Sequence, residues 1–336
     1  MRLANACEAI YARHETFHPR YGWVKKAYDT AAKDPNIFRQ DDAVVELGVG
    51  KNMVRSIRHW GLAFRVLARE TRERNNKKSP IMPSAIGQML FSDEGWDPYC
   101  ELPSTLWLLH WWLFAPPSMM PVWWIAFNEF TAIEFTAEQL EDFVMERTSD
   151  WEVPRASAVK KDVSCLLRMY AAGDVTAGTF DDAIDCPFRS LSLVRSSDAV
   201  KGAYRFLLGV KPTLPPAVLA FACLDFVARS ESTAQTITVS RLATEAGAPG
   251  KIFKLPETAL RILLEQAAAD HPVIEITSST GVPQLTFEDS AADVATSLLR
   301  DHYERLVGNT QQLSSLCIAG DAGDRAIPLL DTRSGR

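Results

Sequence analysis

The chain has 336 residues, of which 47% are hydrophobic and 23% are charged, a composition that excludes a largely disordered protein and favours two or three globular domains. The net charge of −6 is uneven, because residues 1–80 carry 16 Lys and Arg against 9 Asp and Glu, while the remainder carries 20 against 33. A basic N-terminal part on an acidic body is compatible with binding a polyanion such as DNA. A solvated basic face without a ligand is the alternative.

The N-terminal sequence and the cysteines both indicate a cytoplasmic protein. The first residues, MRLANACEAIYARHE, lack the long apolar run of a signal peptide. The six cysteines are scattered, with no CxxC pair and no Cys and His cluster at zinc-ligand spacing. We therefore expect reduced thiols.

Four helices are predicted in the first 70 residues. The first covers residues 5–15 and the second 23–32, the third is Asp42–Leu47, and the fourth runs from Lys51 to about Arg69. The turn between the last two, Gly48-Val49-Gly50, precedes Lys51 and superficially resembles a phosphate-binding loop. The first glycine of the GxxxxGK[ST] motif is missing, so we interpret the segment as a turn.

Val44, Gly48 and Val54 have the spacing of a helix-turn-helix. A small apolar residue allows two helices to approach, the glycine supplies a positive φ, and the last residue anchors the second helix. In DNA-binding proteins the free face of that helix enters the major groove, where Arg and Asn read bases and Lys and Arg contact phosphates. The candidate contacts are Lys51, Asn52, Arg55 and Arg58, with His18, Arg20, Lys25 and Lys26 as nearby phosphate contacts.

The middle of the chain is predicted to be mostly helical. The apolar stretch 106–130 is interrupted by prolines before it reaches the about 20 residues needed to span a membrane, so it predicts two buried helices. An aromatic platform that stacks bases is the alternative for its tryptophans. Two amphipathic helices follow at 137–147, with a Thr136–Gln139 capping box, and at 156–170. A β-ribbon is predicted from residues 191–194 to 204–206.

The helix-turn-helix spacing recurs about 200 residues later at Ala243, Gly247 and Phe253. Helices are predicted at 215–228, 256–270 and 293–306, and a wing with the turn Ser279-Thr280-Gly281 follows the second of these. Lys251 and Lys254 are the basic candidates for DNA contact here. A protein-contact module or a purely structural module is an equal alternative for this copy.

Together these elements predict a mainly α protein in which winged helix-turn-helix units at both ends flank a helical middle domain. The expected boundaries are 1–100, 101–205 and 206–307, followed by a partly ordered tail at 308–336. No catalytic signature stands out. Asp162, Asp181, Asp182 and Asp185 would bind a metal only if they converged, and solvated acids are the simpler interpretation. Single histidines such as His14 are more often structural than functional.

Five segments carry a resemblance to a known family: FHPRYGWVKKAYD, LGVGKNMVRSIRHW, GWDPYCELPSTLWLLHWW, VKKDVSCLLRMY and GAPGKIFKL. Through these segments the chain resembles, over nearly its whole length, the SspB-like family of the bacterial single-strand DNA phosphorothioation (Ssp) system. This family was formerly described as a domain of unknown function. The resemblance implies an antiphage DNA modification role beside a cysteine desulfurase, an ATPase and a sulfur transferase. It also implies DNA nicking that opens the strand for sulfur insertion.

The resulting prediction is a DNA-binding component that nicks one strand of duplex DNA, helped by Mg²⁺ or Mn²⁺, because phosphodiester cleavage needs charge stabilisation at the leaving oxygen. A non-catalytic adaptor of the modification complex and a transcriptional regulator are the alternatives. The resemblance supplies no catalytic residues that can be carried over position by position.

Overall fold

A computed structural model of the chain describes residues 2–70, 79–171, 186–230, 234–278 and 281–307. Within these ranges helices predominate and three small antiparallel sheets complete the fold, which confirms the predicted mainly α class. The predicted tail 308–336 lies outside the described residues, as do Asp181, Asp182 and Asp185 and the wing residues Ser279 and Thr280.

The N-terminal part contains five helices and a hairpin. They are α1 (Leu3–Ala6), α2 (Trp23–Lys33), a 3-10 turn (Ile37–Arg39), α3 (Ala43–Leu47), α4 (Lys51–Ala63), β1 (Leu67–Arg69), β2 (Ile81–Pro83) and α5 (Ala85–Phe91). The helix predicted over 5–15 is wrong beyond α1, because Ala12, Glu15 and Thr16 adopt φ values of 54°, 50° and 69° that no α-helix accommodates. Helix α4 ends before the predicted Arg69, since Arg65 also has a positive φ and the chain then enters β1.

The apolar stretch forms the two predicted buried helices, α6 (Pro103–Leu113) and α7 (Pro121–Asn128), each with a proline in its first turn. Its five tryptophans at positions 107, 111, 112, 123 and 124 are at most 2% exposed, so they belong to the core and offer no platform for stacking bases. Across the described ranges, no helix is long and apolar enough to cross a membrane.

The middle and C-terminal parts share a core order of one helix, one strand, two helices and two strands. A 3-10 helix (Pro187–Leu191) precedes the last two strands of the middle part, and the C-terminal part adds a four-residue helix (Pro249–Ile252) and a closing helix. In the middle, α7 leads to β3 (Glu134–Thr136), α8 (Ala137–Arg147), α9 (Ala156–Tyr170), β4 (Val194–Ser196) and β5 (Ala203–Phe206). The C-terminal part has α10 (Pro216–Ala228), β6 (Thr236–Thr238), α11 (Val239–Thr244), α12 (Pro249–Ile252), α13 (Glu257–Asp270), β7 (Ile274–Thr277), β8 (Gln284–Phe287) and α14 (Ala291–Val307). In both, the first strand pairs with the last, giving the orders β3-β5-β4 and β6-β8-β7. The sequence did not predict this likeness.

The likeness extends to the junction between the first strand and the next helix. Thr136 ends β3 and caps α8 by accepting a hydrogen bond from the Gln139 N–H, and Gln139 completes the predicted capping box. Thr238 ends β6 and caps α11 in the same way, accepting from the Arg241 N–H. Each threonine therefore stops a strand and starts a helix.

One hydrophobic core extends from Leu3 to Tyr303 and joins all these parts. Aromatic pairs connect the N-terminal part to the rest: Phe64 stacks on Phe188 with ring centroids 5.0 Å apart, and Trp96 stacks on Tyr303 at 4.8 Å. The domain boundaries at 100/101 and 205/206 stay predictions.

Candidate nucleic-acid interface

The first spacing match forms a tight turn between α3 and α4. Gly48 has φ 63° and ψ 33°, and its N–H donates to the Val44 and Val45 carbonyls of α3. A Cβ at Gly48 would have no atom within 4 Å, so the turn faces open space. Val54 and Ile57 are buried and anchor α4 to the core, whereas Val44 is 36% exposed. The opposite face of α4 is therefore free.

That free face begins with polar side chains at the start of α4. Lys51, Asn52 and Arg55 are all exposed. Arg55 Nη1 lies 3.5 Å from Glu15 Oε1, an exposed ion pair that contributes little to stability and that a stronger anion can displace. The three predicted side chains thus lie together on one solvent-facing surface.

Arg58 continues this face one turn later and forms the centre of an arginine cluster. Burial lowers the pKa of the half-buried Arg58, and the positive charges of Arg69, Arg13 and Arg39 lower it further. Its Nε atom is buried without a hydrogen-bond partner among the described residues. We call Arg13, Arg39, Arg58 and Arg69 the arginine cluster. Such a concentration of positive charge attracts anions.

The sequence predicted only Arg58 of this cluster. The other three arginines come from the loop after α1, the 3-10 turn and strand β1. Folding alone brings them together, and the only available signal was the overall excess of Lys and Arg in the first 80 residues.

Two of the predicted phosphate contacts lie in the loop before α2. His18 is 5% exposed and thus buried. The Arg20 guanidinium lies over the rings of Phe17 and Trp23, 6.0 Å and 5.7 Å from their centroids. Arg20 is half-buried, and these cation–π contacts hold its charge close to the surface.

The two lysines of α2 contact protein groups. Lys25 Nζ donates to the Phe91 carbonyl at 3.0 Å and lies 2.9 Å from an Asp29 carboxylate oxygen. The exposed Lys26 donates to the Leu47 carbonyl at the end of α3, at 3.2 Å. Lys26 therefore supports the helix-turn-helix directly.

The second spacing match also forms a turn, with φ 86° at Gly247, but this turn is buried. The Gly247 N–H donates to Asn128 Oδ1 at 2.7 Å, and a Cβ at Gly247 would lie 2.9 Å from the Trp124 ring. Helix α12 after the turn has four residues, and Phe253 is completely buried. The turn of this copy therefore packs against α7, which agrees with the structural alternative given for it.

The basic candidates of the second copy are correspondingly enclosed. Lys251 is half-buried. Lys254 is 7% exposed, donates to the Phe127 carbonyl at 2.8 Å, and holds its ammonium 4.1 Å from the centroid of the Phe206 ring. Burial lowers the pKa of Lys254 to about 7, and the charges of Lys251 and Lys211 add to this effect. Lys254 thus lies almost entirely in the interior.

Comparisons with known proteins agree with this architecture. The family described as "Protein of unknown function (DUF4007)" matches residues 11–303. Two solved structures, "SspB crystal structure" and "Magnesium ion-bound SspB crystal structure", are each 34% identical to the chain with a TM-score of 0.85. The alignments cover 95% of this chain and 96% and 95% of those chains. This chain belongs to the SspB-like (DUF4007) family. No curated protein matches it.

Because one SspB structure contains magnesium, we tested whether residues of this family member fit a divalent cation. Asp162, one of the four acids considered as metal ligands, accepts a hydrogen bond from the Ala12 N–H at 2.9 Å and from His14 Nε2 at 2.6 Å. In the part of the chain that the structure describes, no group of three or more His, Cys, Asp or Glu side chains converges to hold a metal ion. Asp162 is thus engaged by His14 and Ala12, while the other candidate acids, Asp181, Asp182 and Asp185, lie outside the described residues.

Proposed function

We propose that this SspB-like protein binds duplex DNA through the exposed face of α4 and the arginine cluster, as the DNA-binding component of a phosphorothioate modification and defence system. One observation carries the proposal: a helix that follows a tight glycine turn exposes Lys51, Asn52 and Arg55 and continues into the arginine cluster around Arg58. Positively charged side chains beside an exposed helix face complement the negative charge of the DNA backbone.

The element order supports this interpretation. Helices α2, α3 and α4 followed by the β1–β2 hairpin are the elements of a winged helix, in which the third helix enters the major groove. The C-terminal part, from α10 to β8, is interpreted as a second winged helix. The helix that precedes its hairpin, α13, exposes Glu257, Glu265 and Asp270 against Arg261, so we assign it a supporting or partner-binding role.

The chemistry of the α4 face gives each residue a distinct role in the proposal. Lys51 and the arginine cluster neutralise phosphates, which supplies most of the affinity and makes it depend on salt. Asn52 and Arg55 face the base edges, where amide and guanidinium groups pair with adenine and guanine. Arg20 and Lys26 extend the phosphate contacts, while the enclosed Lys254 takes no part.

The role within the modification system rests on family membership. We infer that the protein acts with a cysteine desulfurase, an ATPase and a sulfur transferase, and that it nicks one strand so that sulfur can be inserted. Mg²⁺ or Mn²⁺ is the proposed helper of nicking. The lack of a converging ligand group among the described residues favours a second candidate, a non-catalytic DNA and protein adaptor.

Incubation of the purified protein with supercoiled plasmid separates these functions. With Mg²⁺ or Mn²⁺, a nickase converts the plasmid to open circles, and EDTA stops the conversion. Duplex binding without open circles supports the adaptor. Preference for a defined operator over random duplex, without nicking, supports a transcriptional regulator. Absence of any duplex binding contradicts the proposal as a whole.

A further inference from the structure

Helix α9 exposes a second basic face that the sequence did not single out. Along α9, Lys160, Lys161, Ser164 and Arg168 are exposed, and the intervening residues are buried. These positions follow the three- and four-residue spacing of one helix face. The acid within this stretch, Asp162, is 3% exposed and points into the core, so the face carries positive charge alone.

The lysines of this face are available to a ligand. Neither Lys160 nor Lys161 forms an ion pair with any residue that the structure describes. Glu138, at the start of α8, lies within electrostatic reach of Lys160, and it is fully exposed, so solvent and salt screen this interaction. The charge on α9 is thus left largely uncompensated.

Helix α9 also has the position in its part of the chain that α13 has in the C-terminal part. Each comes after a strand and a helix capped by a threonine, with the four-residue α12 intervening before α13, and each precedes two strands of which the last pairs with the first strand. In a winged helix this is the position of the helix that enters DNA. The two helices differ in charge, because α9 exposes basic side chains where α13 exposes mostly acidic ones.

The basic faces of α4 and α9 lie side by side. From α9, Arg168 Nη2 donates to the Thr16 carbonyl at 2.5 Å. From α4, Arg55 reaches the neighbouring Glu15 at 3.5 Å. Arg13 of the same loop acts on Arg58 in the arginine cluster. A single loop, residues 13–16, therefore lies between the two faces and joins them into one surface.

A buried contact fixes the two helices relative to each other. His14 Nε2 lies 2.6 Å from Asp162 Oδ1 on α9, and the His14 ring stacks on Trp60 of α4 with centroids 6.1 Å apart. A surface built on two helices held in this way is preorganised, which lowers the cost of binding an extended ligand.

From this geometry we propose that α9 is a second DNA-contacting helix and that one duplex crosses both α4 and α9. Lys160, Lys161 and Arg168 then contact backbone phosphates outside the segment that α4 reads. The occupant is a nucleic acid duplex, because a row of basic side chains that form no ion pair with described residues, continuous with the arginine cluster, complements a regular row of phosphates. This inference rests on the proposed DNA binding by α4.

The test uses the full chain with Lys160→Ala and Lys161→Ala combined. Duplex affinity is measured by fluorescence anisotropy over a series of salt concentrations, on one duplex of about 10 bp, a single helical turn, and on another of about 30 bp. We expect the slope of log affinity against log salt to fall by about 2 on the long duplex, with roughly ten-fold weaker binding, and little change on the short one.

Two further variants serve as controls. Lys160→Arg with Lys161→Arg keeps both charges and is expected to restore binding. Arg241→Ala with Arg261→Ala removes the same charge from the exposed C-terminal part and is expected to leave binding unchanged. Circular dichroism and the melting temperature show that each variant is folded.

The outcomes separate the two proposals. If the Lys160 and Lys161 variant binds the long duplex like the wild type while α4 variants bind weakly, DNA contact by α9 is refuted and the α4 interface stands. If the variant keeps its DNA affinity but no longer binds an acidic protein of the modification system, the α9 face binds protein and the inference is also refuted. If α4 variants bind normally, the proposed function fails first.

Discussion

His14 Nε2 lies 2.6 Å from Asp162 Oδ1, and both side chains are at most 4% exposed. The pair connects residues 148 positions apart in the sequence and joins the N-terminal loop to α9. Burial raises the pKa of Asp162, while the hydrogen bond and charge of His14 oppose that rise. A buried carboxylate requires such a partner to remain stable.

We predict that His14→Ala lowers the free energy of unfolding by about 3 kcal/mol, because it leaves a buried carboxylate with only the Ala12 N–H as a donor. Urea denaturation followed by tryptophan fluorescence measures the change. Asp162→Asn, which removes the charge and keeps the shape, is expected to cost less than His14→Ala. The reverse order would contradict this account of the pair.

The two glycine turns differ in their surroundings, and alanine substitutions measure that difference. Gly48→Ala is expected to cost about 1 kcal/mol, since only the left-handed backbone is strained and no atom lies within 4 Å. Gly247→Ala has the same strain and also meets the Trp124 ring at 2.9 Å, so we expect a total cost of about 3 kcal/mol. Equal melting temperatures for the two variants would disprove the buried position of the second turn.

Lys254 makes stability depend on pH in a defined direction. Its pKa falls from 10.5 to about 7 on folding, so between these values the unfolded chain holds a proton that the folded chain has released. Stability attributable to this group therefore rises with pH through that window, and below about pH 7 the full cost of the buried charge is present. Replacing Lys254 with methionine removes this dependence.

Unfolding of wild type and Lys254→Met at pH values from about 6 to about 10 tests this. The difference in the free energy of unfolding between the variant and the wild type is expected to shrink by about 4 kcal/mol as the pH rises. Lys33→Met, at a side chain that is 72% exposed, is the matched control and should show no such trend. A pH-independent difference for Lys254→Met would mean that Lys254 is solvated.

Local signals made the first helix-turn-helix predictable. Gly48 needs a positive φ, and Val54 must be apolar, so both requirements are visible in the sequence. The same three-position pattern at Gly247 predicted the turn correctly, but it contained no information on which surface packs against α7. That choice depends on Asn128 and Trp124, which are more than 100 residues away.

Non-local contacts explain what sequence reasoning missed. The arginine cluster joins four separate segments, and no spacing rule connects Arg13 with Arg69. Helix α9 was predicted correctly from its amphipathic pattern, yet its likeness to α13 depends on the pairing of β3 with β5, which is visible only in the fold. Membership of the SspB-like family was predictable, because LGVGKNMVRSIRHW is specific enough to identify it.

The central claim is that α4 contacts DNA, and the salt dependence of duplex binding tests it most directly. The experiment compares the wild type with a double variant of α4 that combines Lys51→Ala and Arg55→Ala, on a labelled duplex of about 30 bp. The charge-matched control is the double variant that combines Arg241→Ala and Arg261→Ala. The account predicts roughly ten-fold weaker binding by the α4 variant and a salt slope smaller by about 2, with the control unchanged. An α4 variant that binds with wild-type affinity and slope would contradict it.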